Sequence, residues 1–259
     1  MNKYQISTFK YTGVIFFWIF LSSCGNQKPT VFKEPWVEKP VAEWPELVMT
    51  NSVEFADTTY SNIGNAFLVN TGSDTLAITC KHIFMLFGAK TQNKVYLYNN
   101  FNNWKIYPKG KYEKSVCLGE LINKNSCEEI GAFNTLKSRD WIIFKLNGTT
   151  EFTPLKIRKR PVAEGEIVYA VGWAYKQFTK KPSLVKMQVY KNVGVYFYVN
   201  TLTQNVDAAG RSGSPVIDKN GYLVGIVSGA EGNLGVIGGV PYLTQQFDKY
   251  NISYTYEGN

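Results

Sequence analysis

Short apolar and β-branched runs alternate with turn-forming residues along most of the chain. Ala66-Phe67-Leu68-Val69, the turn Thr71-Gly72-Ser73-Asp74 and the run Thr75 to Cys80 predict a hairpin. Further strand-like runs occupy Val95 to Tyr98, Trp141 to Leu146, Ile167 to Val171, Val185 to Tyr190, Val193 to Val199, Val216-Ile217 and Leu223 to Val227. No long stretch keeps a helical period, and only Tyr242 to Tyr250 suggests a short closing helix. There is no internal repeat. Many short strands with regular turns and few helices predict an all-β sandwich or barrel.

The pattern breaks at the N-terminus. Lys3 and Lys10 make a basic start, Val14 to Leu21 is a short apolar run, and Leu21-Ser22-Ser23-Cys24 follows. These are the parts of an export signal, and the run is too short to span a bilayer. Its end resembles a bacterial lipobox, with small residues before Cys24 and polar Gly25-Asn26 after it. Residues 1–23 are therefore expected to be a removed lipoprotein signal, Cys24 the lipidation site, and the cell envelope the destination, with the body facing the periplasm. Pro29, Pro35, Pro40 and Pro45 then punctuate a charged stretch. It reads as a tether over residues 24–54, ahead of a folded body at 55–259. Trp36 and Trp44 are out of place in a pure linker and suggest docking on the domain surface.

Composition changes this picture little. A hydrophobic content of 44% is ample for a globular core. Loss of the signal lowers the formal charge from +8 to +6. In an exported protein the cluster Lys156, Arg158, Lys159 and Arg160 reads as a solvated face near anionic lipid, not as a nucleic-acid site. An oxidising compartment would allow Cys117 and Cys127 to pair, while Cys80, in an apolar run, is expected to be a buried free thiol. One histidine and no metal-ligand spacing argue against a metal centre, and no cofactor is expected.

That single histidine, His82, ends the predicted strand in "LAITCKHIF", where a side chain is held firmly yet remains reachable. Asp140 stands directly before the apolar strand of "SRDWIIFKL", and Ser212 sits among small residues in "DAAGRSGSPVI". A serine hydroxyl needs a base during attack; His82 can take its proton if Asp140 fixes the imidazole tautomer. Backbone N–H groups of Gly210 and Ser212 are candidates for binding the resulting oxyanion. An α/β-hydrolase requires a histidine after the serine, and none follows Ser212. A subtilisin order would need Asp57 or Asp74 ahead of His82, and neither stands directly before a fully apolar strand as Asp140 does. The order His82, Asp140, Ser212 remains, which is that of chymotrypsin-like proteases.

"TCKHIF", "RDWIIFKL" and "GRSGSPVIDKNGYLVGIVSG" together resemble the trypsin-like peptidases, especially their bacterial glutamyl-endopeptidase-like branch, over roughly 200 residues from Gly64 onward. The resemblance implies a double six-stranded antiparallel β-barrel. The first barrel, at about 55–150, would supply His82 and Asp140; the second, at about 163–240, would supply Ser212. It implies peptide-bond hydrolysis through an acyl-enzyme, with polypeptide substrates. A protease-like binding module without activity and an esterase are the alternatives.

Two departures stand out. Arg211 occupies a position usually held by Asn or Asp, where an acid in zymogen-type relatives pairs with a new N-terminal amine. Arginine cannot make that pair. It is expected either to prop the oxyanion loop or to favour acidic substrate positions, and activation is expected to need no N-terminal trimming. Val206 stands where trypsin keeps its pocket acid, with Asp207 adjacent, and the matched strand lacks the histidine of glutamyl endopeptidases. Val206, Asp207, Val227, Ser228, Gly229 and Ala230 are accordingly expected to line a neutral pocket for small or apolar side chains.

Overall fold

The computed structural model describes residues 32–258, apart from 132, 133, 135, 178 and 180. Residues 1–23, expected as an export signal, and Cys24 lie outside the described residues. Strands dominate: β1 (Val48–Phe55), β2 (Thr58–Asn70), β3 (Thr75–Thr79), β4 (Lys94–Val95), β5 (Phe101–Tyr107), β6 (Val116–Leu121), β7 (Asn125–Glu129) and β8 (Ile142–Leu146) precede the short β9 (Leu155–Lys156). After it come β10 (Ile167–Gly172), β11 (Ser183–Asn192), β12 (Tyr196–Thr201), β13 (Pro215–Ile217), β14 (Leu223–Glu231), β15 (Leu234–Gly239) and the helix α1 (Val240–Lys249).

These strands close into two antiparallel barrels of six strands each. The first runs β1-β5-β6-β8-β3-β2 and closes through β1–β2, with β9 added parallel to β2. The second runs β10-β11-β12-β15-β14-β13. β11 shows how sequence sets the inward face: Val185, Met187 and Val189 are buried, while Lys186 between them and Tyr190 just after them are exposed to water. The first barrel is filled by aromatic rings, with Trp104 packed against Phe84, Phe87 and Phe144. Leu243 and Phe247, one turn apart on α1, are fully buried in the same cluster as these rings.

Three expectations change. Of the stretch expected as a tether over residues 24–54, the described part from Phe32 joins the fold: Trp36 and Trp44 are buried and meet edge-to-face at 4.8 Å, and β1 starts at Val48. β1 escaped notice because Thr50, Asn51 and Ser52 are polar yet buried at an irregularity in its pairing with β2. Asn51 is satisfied there, donating to the Ile63 carbonyl at 2.9 Å and accepting from Trp104 Nε1 at 3.0 Å. Cys117 and Cys127 are free, because β6 pairs with β5 and β8 whereas β7 pairs with β4 in a separate two-stranded sheet. The strand expected from Val193 begins only at Tyr196, after a turn through Gly194.

Candidate active site

Register brings the histidine to its acid. β3 pairs with β8 so that Thr79 faces Ile142, which sets the residues just after β3 beside those just before β8. A short 3-10 helix, Lys81–Leu86, then turns His82 toward the cleft. The Asp140 carboxylate is completely buried. It accepts the His82 backbone N–H at 2.8 Å and meets His82 Nδ1 at 2.7 Å. A carboxylate at Nδ1 selects the tautomer whose Nε2 lone pair is available as a base. Cys80, buried and free as expected, places its Sγ 3.8 Å from Nε2. Burial opposes protonation of His82, but the Cys80 sulfur and the Asp140 carboxylate outweigh it and hold the imidazole above its ordinary value.

Ser212 lies on the turn between β12 and β13, and both flanking glycines have positive φ, +81° at Gly210 and +80° at Gly213. A Cβ at Gly213 would stand 2.1 Å from the Asn65 carbonyl oxygen, and one at Gly210 would stand 2.5 Å from the Tyr175 nitrogen. Glycine is required at both places on conformation and on space. Among the described residues, neither the Gly210 nor the Ser212 N–H donates to another protein group.

Asn65, at the end of the irregular part of β2, fixes this turn. Its backbone N–H donates to the Ser212 carbonyl at 2.7 Å, and its Nδ2 donates to the Gly210 carbonyl at 3.0 Å. The same side chain donates to the Trp173 carbonyl at 3.1 Å and accepts the Trp173 N–H at 3.0 Å. Sequence reasoning passed over Asn65. The available signal was an amide opening the otherwise apolar run "NAFLV", where a buried polar side chain needs specific partners.

Arg211 turns inward, away from the cleft. Its Nε donates to the Asp207 carbonyl at 2.8 Å, and its two terminal nitrogens donate to the Gly172 carbonyl at 3.2 Å and Ser183 Oγ at 2.7 Å. Burial pulls the guanidinium below its ordinary value, with the Asp207 charge opposing. Of the two expected roles, this geometry matches the prop.

A cleft of about 480 Å³ contains both His82 and Ser212, together with Gly210, Cys80 and Ile83. None of the six residues expected to form the specificity pocket lines it. Val206 and Asp207 line a separate cavity of about 410 Å³ that also contains Arg211. Val227 is tied back-to-back with the nucleophile turn, accepting from Gly213 N–H and donating to the Ser214 carbonyl, both at 2.9 Å. Ser228 is buried, and Gly229 and Ala230 follow it toward the surface end of β14.

The trypsin-like peptidase domain family matches residues 64–226, more than half of the chain. The chain belongs to the trypsin-like peptidase family. Solved structures agree on the fold of this trypsin-like peptidase. The Rv3671c protease from M. tuberculosis, in its active form, matches with a TM-score of 0.55 at 17% identity, over 98% of this chain and 96% of that one. An inactive form of that protease matches at a TM-score of 0.52 and 17% identity, over 86% of this chain and 98% of that one. An inactive serine-to-alanine mutant gives 0.52 and 16%, over 86% and 96%. No curated protein matches the sequence.

Proposed function

We propose that the protein is a serine endopeptidase that cleaves peptide bonds through an acyl-enzyme, with His82, Asp140 and Ser212 as its triad. The observation that carries this reading is the 2.7 Å contact between His82 Nδ1 and a wholly buried Asp140, at the head of the cleft that Ser212 enters. Ser212 Oγ attacks the substrate carbonyl while His82 Nε2 takes its proton, and Asp140 stabilises the imidazolium. The Gly210 and Ser212 N–H groups receive the oxyanion. His82 then returns the proton to the departing amine, and water repeats the attack on the acyl-enzyme.

Arg211 supports activity without N-terminal trimming, because a guanidinium already holds the nucleophile turn from within. Lipidation at Cys24 would anchor the enzyme in the bacterial cell envelope, facing the periplasm. About ten residues separate Cys24 from the first packed turn at Pro35, a reach of at most ~35 Å. Such a short tether restricts the enzyme to substrates close to the membrane.

Labelling with a fluorophosphonate probe tests the reading. The expected result is covalent modification at Ser212 that Ser212→Ala and His82→Ala abolish, together with hydrolysis of unfolded protein. A folded wild-type chain that neither labels nor hydrolyses would overturn it in favour of a binding module.

A further inference from the structure

The cleft at Ser212 is walled largely by apolar side chains, and several of them are unusually exposed. Met85 is 49% exposed, Leu86 53% and Tyr175 71%, and all three line this one cleft with Ile63, Ile83 and Trp173. Large apolar side chains left in water around a single concavity mark a binding surface. The position of His82 says which part of a substrate comes here. Its imidazole must deliver a proton to the departing amine, so the leaving half of the substrate has to pass along its flank. Ile83, Met85 and Leu86 belong to the same short helix as His82 and form that flank.

We propose that this cleft binds the leaving-group side of the substrate and selects a bulky apolar side chain there. Selectivity then resides after the scissile bond more than before it, consistent with the absence from this cleft of Val206, Asp207 and Val227 to Ala230. Among the described residues, no carboxylate lines the cleft. Its lysine, Lys109, donates to the Ala174 carbonyl at 3.3 Å and so braces the wall that carries Tyr175. A basic leaving-group residue is accordingly disfavoured. The inference rests on the serine-peptidase reading and deepens it.

Aminolysis of the acyl-enzyme tests the surface directly. The enzyme is acylated with a short peptide ester, and glycine, leucine, phenylalanine or lysine amide is added to compete with water. The amine nitrogen attacks the acyl carbonyl and gives its proton to His82. The ester bond to Ser212 Oγ breaks, that oxygen takes the proton, and a new amide is released. Phenylalanine and leucine amides are expected to intercept the acyl-enzyme at least ~10-fold more efficiently than glycine amide, with lysine amide no better than glycine. Leu86→Glu and Met85→Glu, both at exposed positions, are expected to remove most of that preference and to raise capture of lysine amide. Equal partitioning of all four amides in the wild-type enzyme would overturn the inference and leave the peptidase reading intact. Failure to form any acyl-enzyme would overturn both.

Discussion

The backbone N–H of Asn65, in the first barrel, donates to the carbonyl oxygen of Ser212, in the second, at 2.7 Å. Ser212 is thus positioned by the barrel that carries His82, and the residues of the proposed triad share one fixed reference. The Asn65 side chain extends the same hold to the carbonyl of Gly210, whose N–H is half of the candidate oxyanion site.

Replacement of that side chain should therefore separate turn geometry from folding. Asn65→Ala strips partners from Gly210 and from both backbone polar groups of Trp173, and is expected to cost about 2–4 kcal/mol of stability. Asn65→Asp keeps the acceptor for the Trp173 N–H but loses the donor to Gly210. A fall in kcat of roughly 10-fold or more, with a smaller change in Tm than in the alanine variant, is the expected result from steady-state kinetics and thermal melts.

Arg211 makes a second, independent demand on the turn. Arg211→Met preserves much of the buried volume and loses all three hydrogen bonds. We expect kcat to fall by about 10²-fold with KM changed far less, since the groups lost act on the oxyanion turn and not on the cleft walls. Residues added before Gly25 should leave kcat/KM of the wild-type protein unchanged. Activity that appears only after proteolytic trimming would contradict this account of Arg211.

The pH profile follows from the surroundings of His82. Only the neutral imidazole can act as base, and Cys80 and Asp140 raise its proton affinity. The acid limb of kcat/KM should lie above the range of an ordinary histidine, and Cys80→Ala should move it toward lower pH. The same shift bears on stability. The protonated form of His82 stabilises the fold fully below the unfolded value of about 6.5, and that contribution is lost as pH rises through the higher folded value. Denaturation across this window should show the loss in wild type and a smaller one in Cys80→Ala.

Trp36 and Trp44 give the simplest test of the N-terminal segment. Each is buried, and Trp44 Nε1 donates to the Lys39 carbonyl at 2.9 Å. Either tryptophan changed to alanine is expected to cost about 3–5 kcal/mol, read from denaturant melts. A surface tether would show no change.

Much of this was legible because local pattern and chemistry coincide at particular residues. The strand β11 alternates cleanly, and His82, Asp140 and Ser212 stand just beyond strand ends in an order that excludes the α/β-hydrolases and subtilisins. β1 was not legible, since Thr50, Asn51 and Ser52 face inward and are stabilised by hydrogen bonds that only the folded partner strands provide. The cleft was hidden for a related reason. Its walls come from β2, the helix after β3 and the loop after β10, which no sequence window places together.

The burial of Leu243 and Phe247 in the same cluster as the aromatic rings of the first barrel has a consequence for timing. Ile83 and Phe84, from the short helix that carries His82, belong to that cluster too. Its packing is complete only once the chain has been made through α1, so the support beneath His82 is finished after the strands of both barrels.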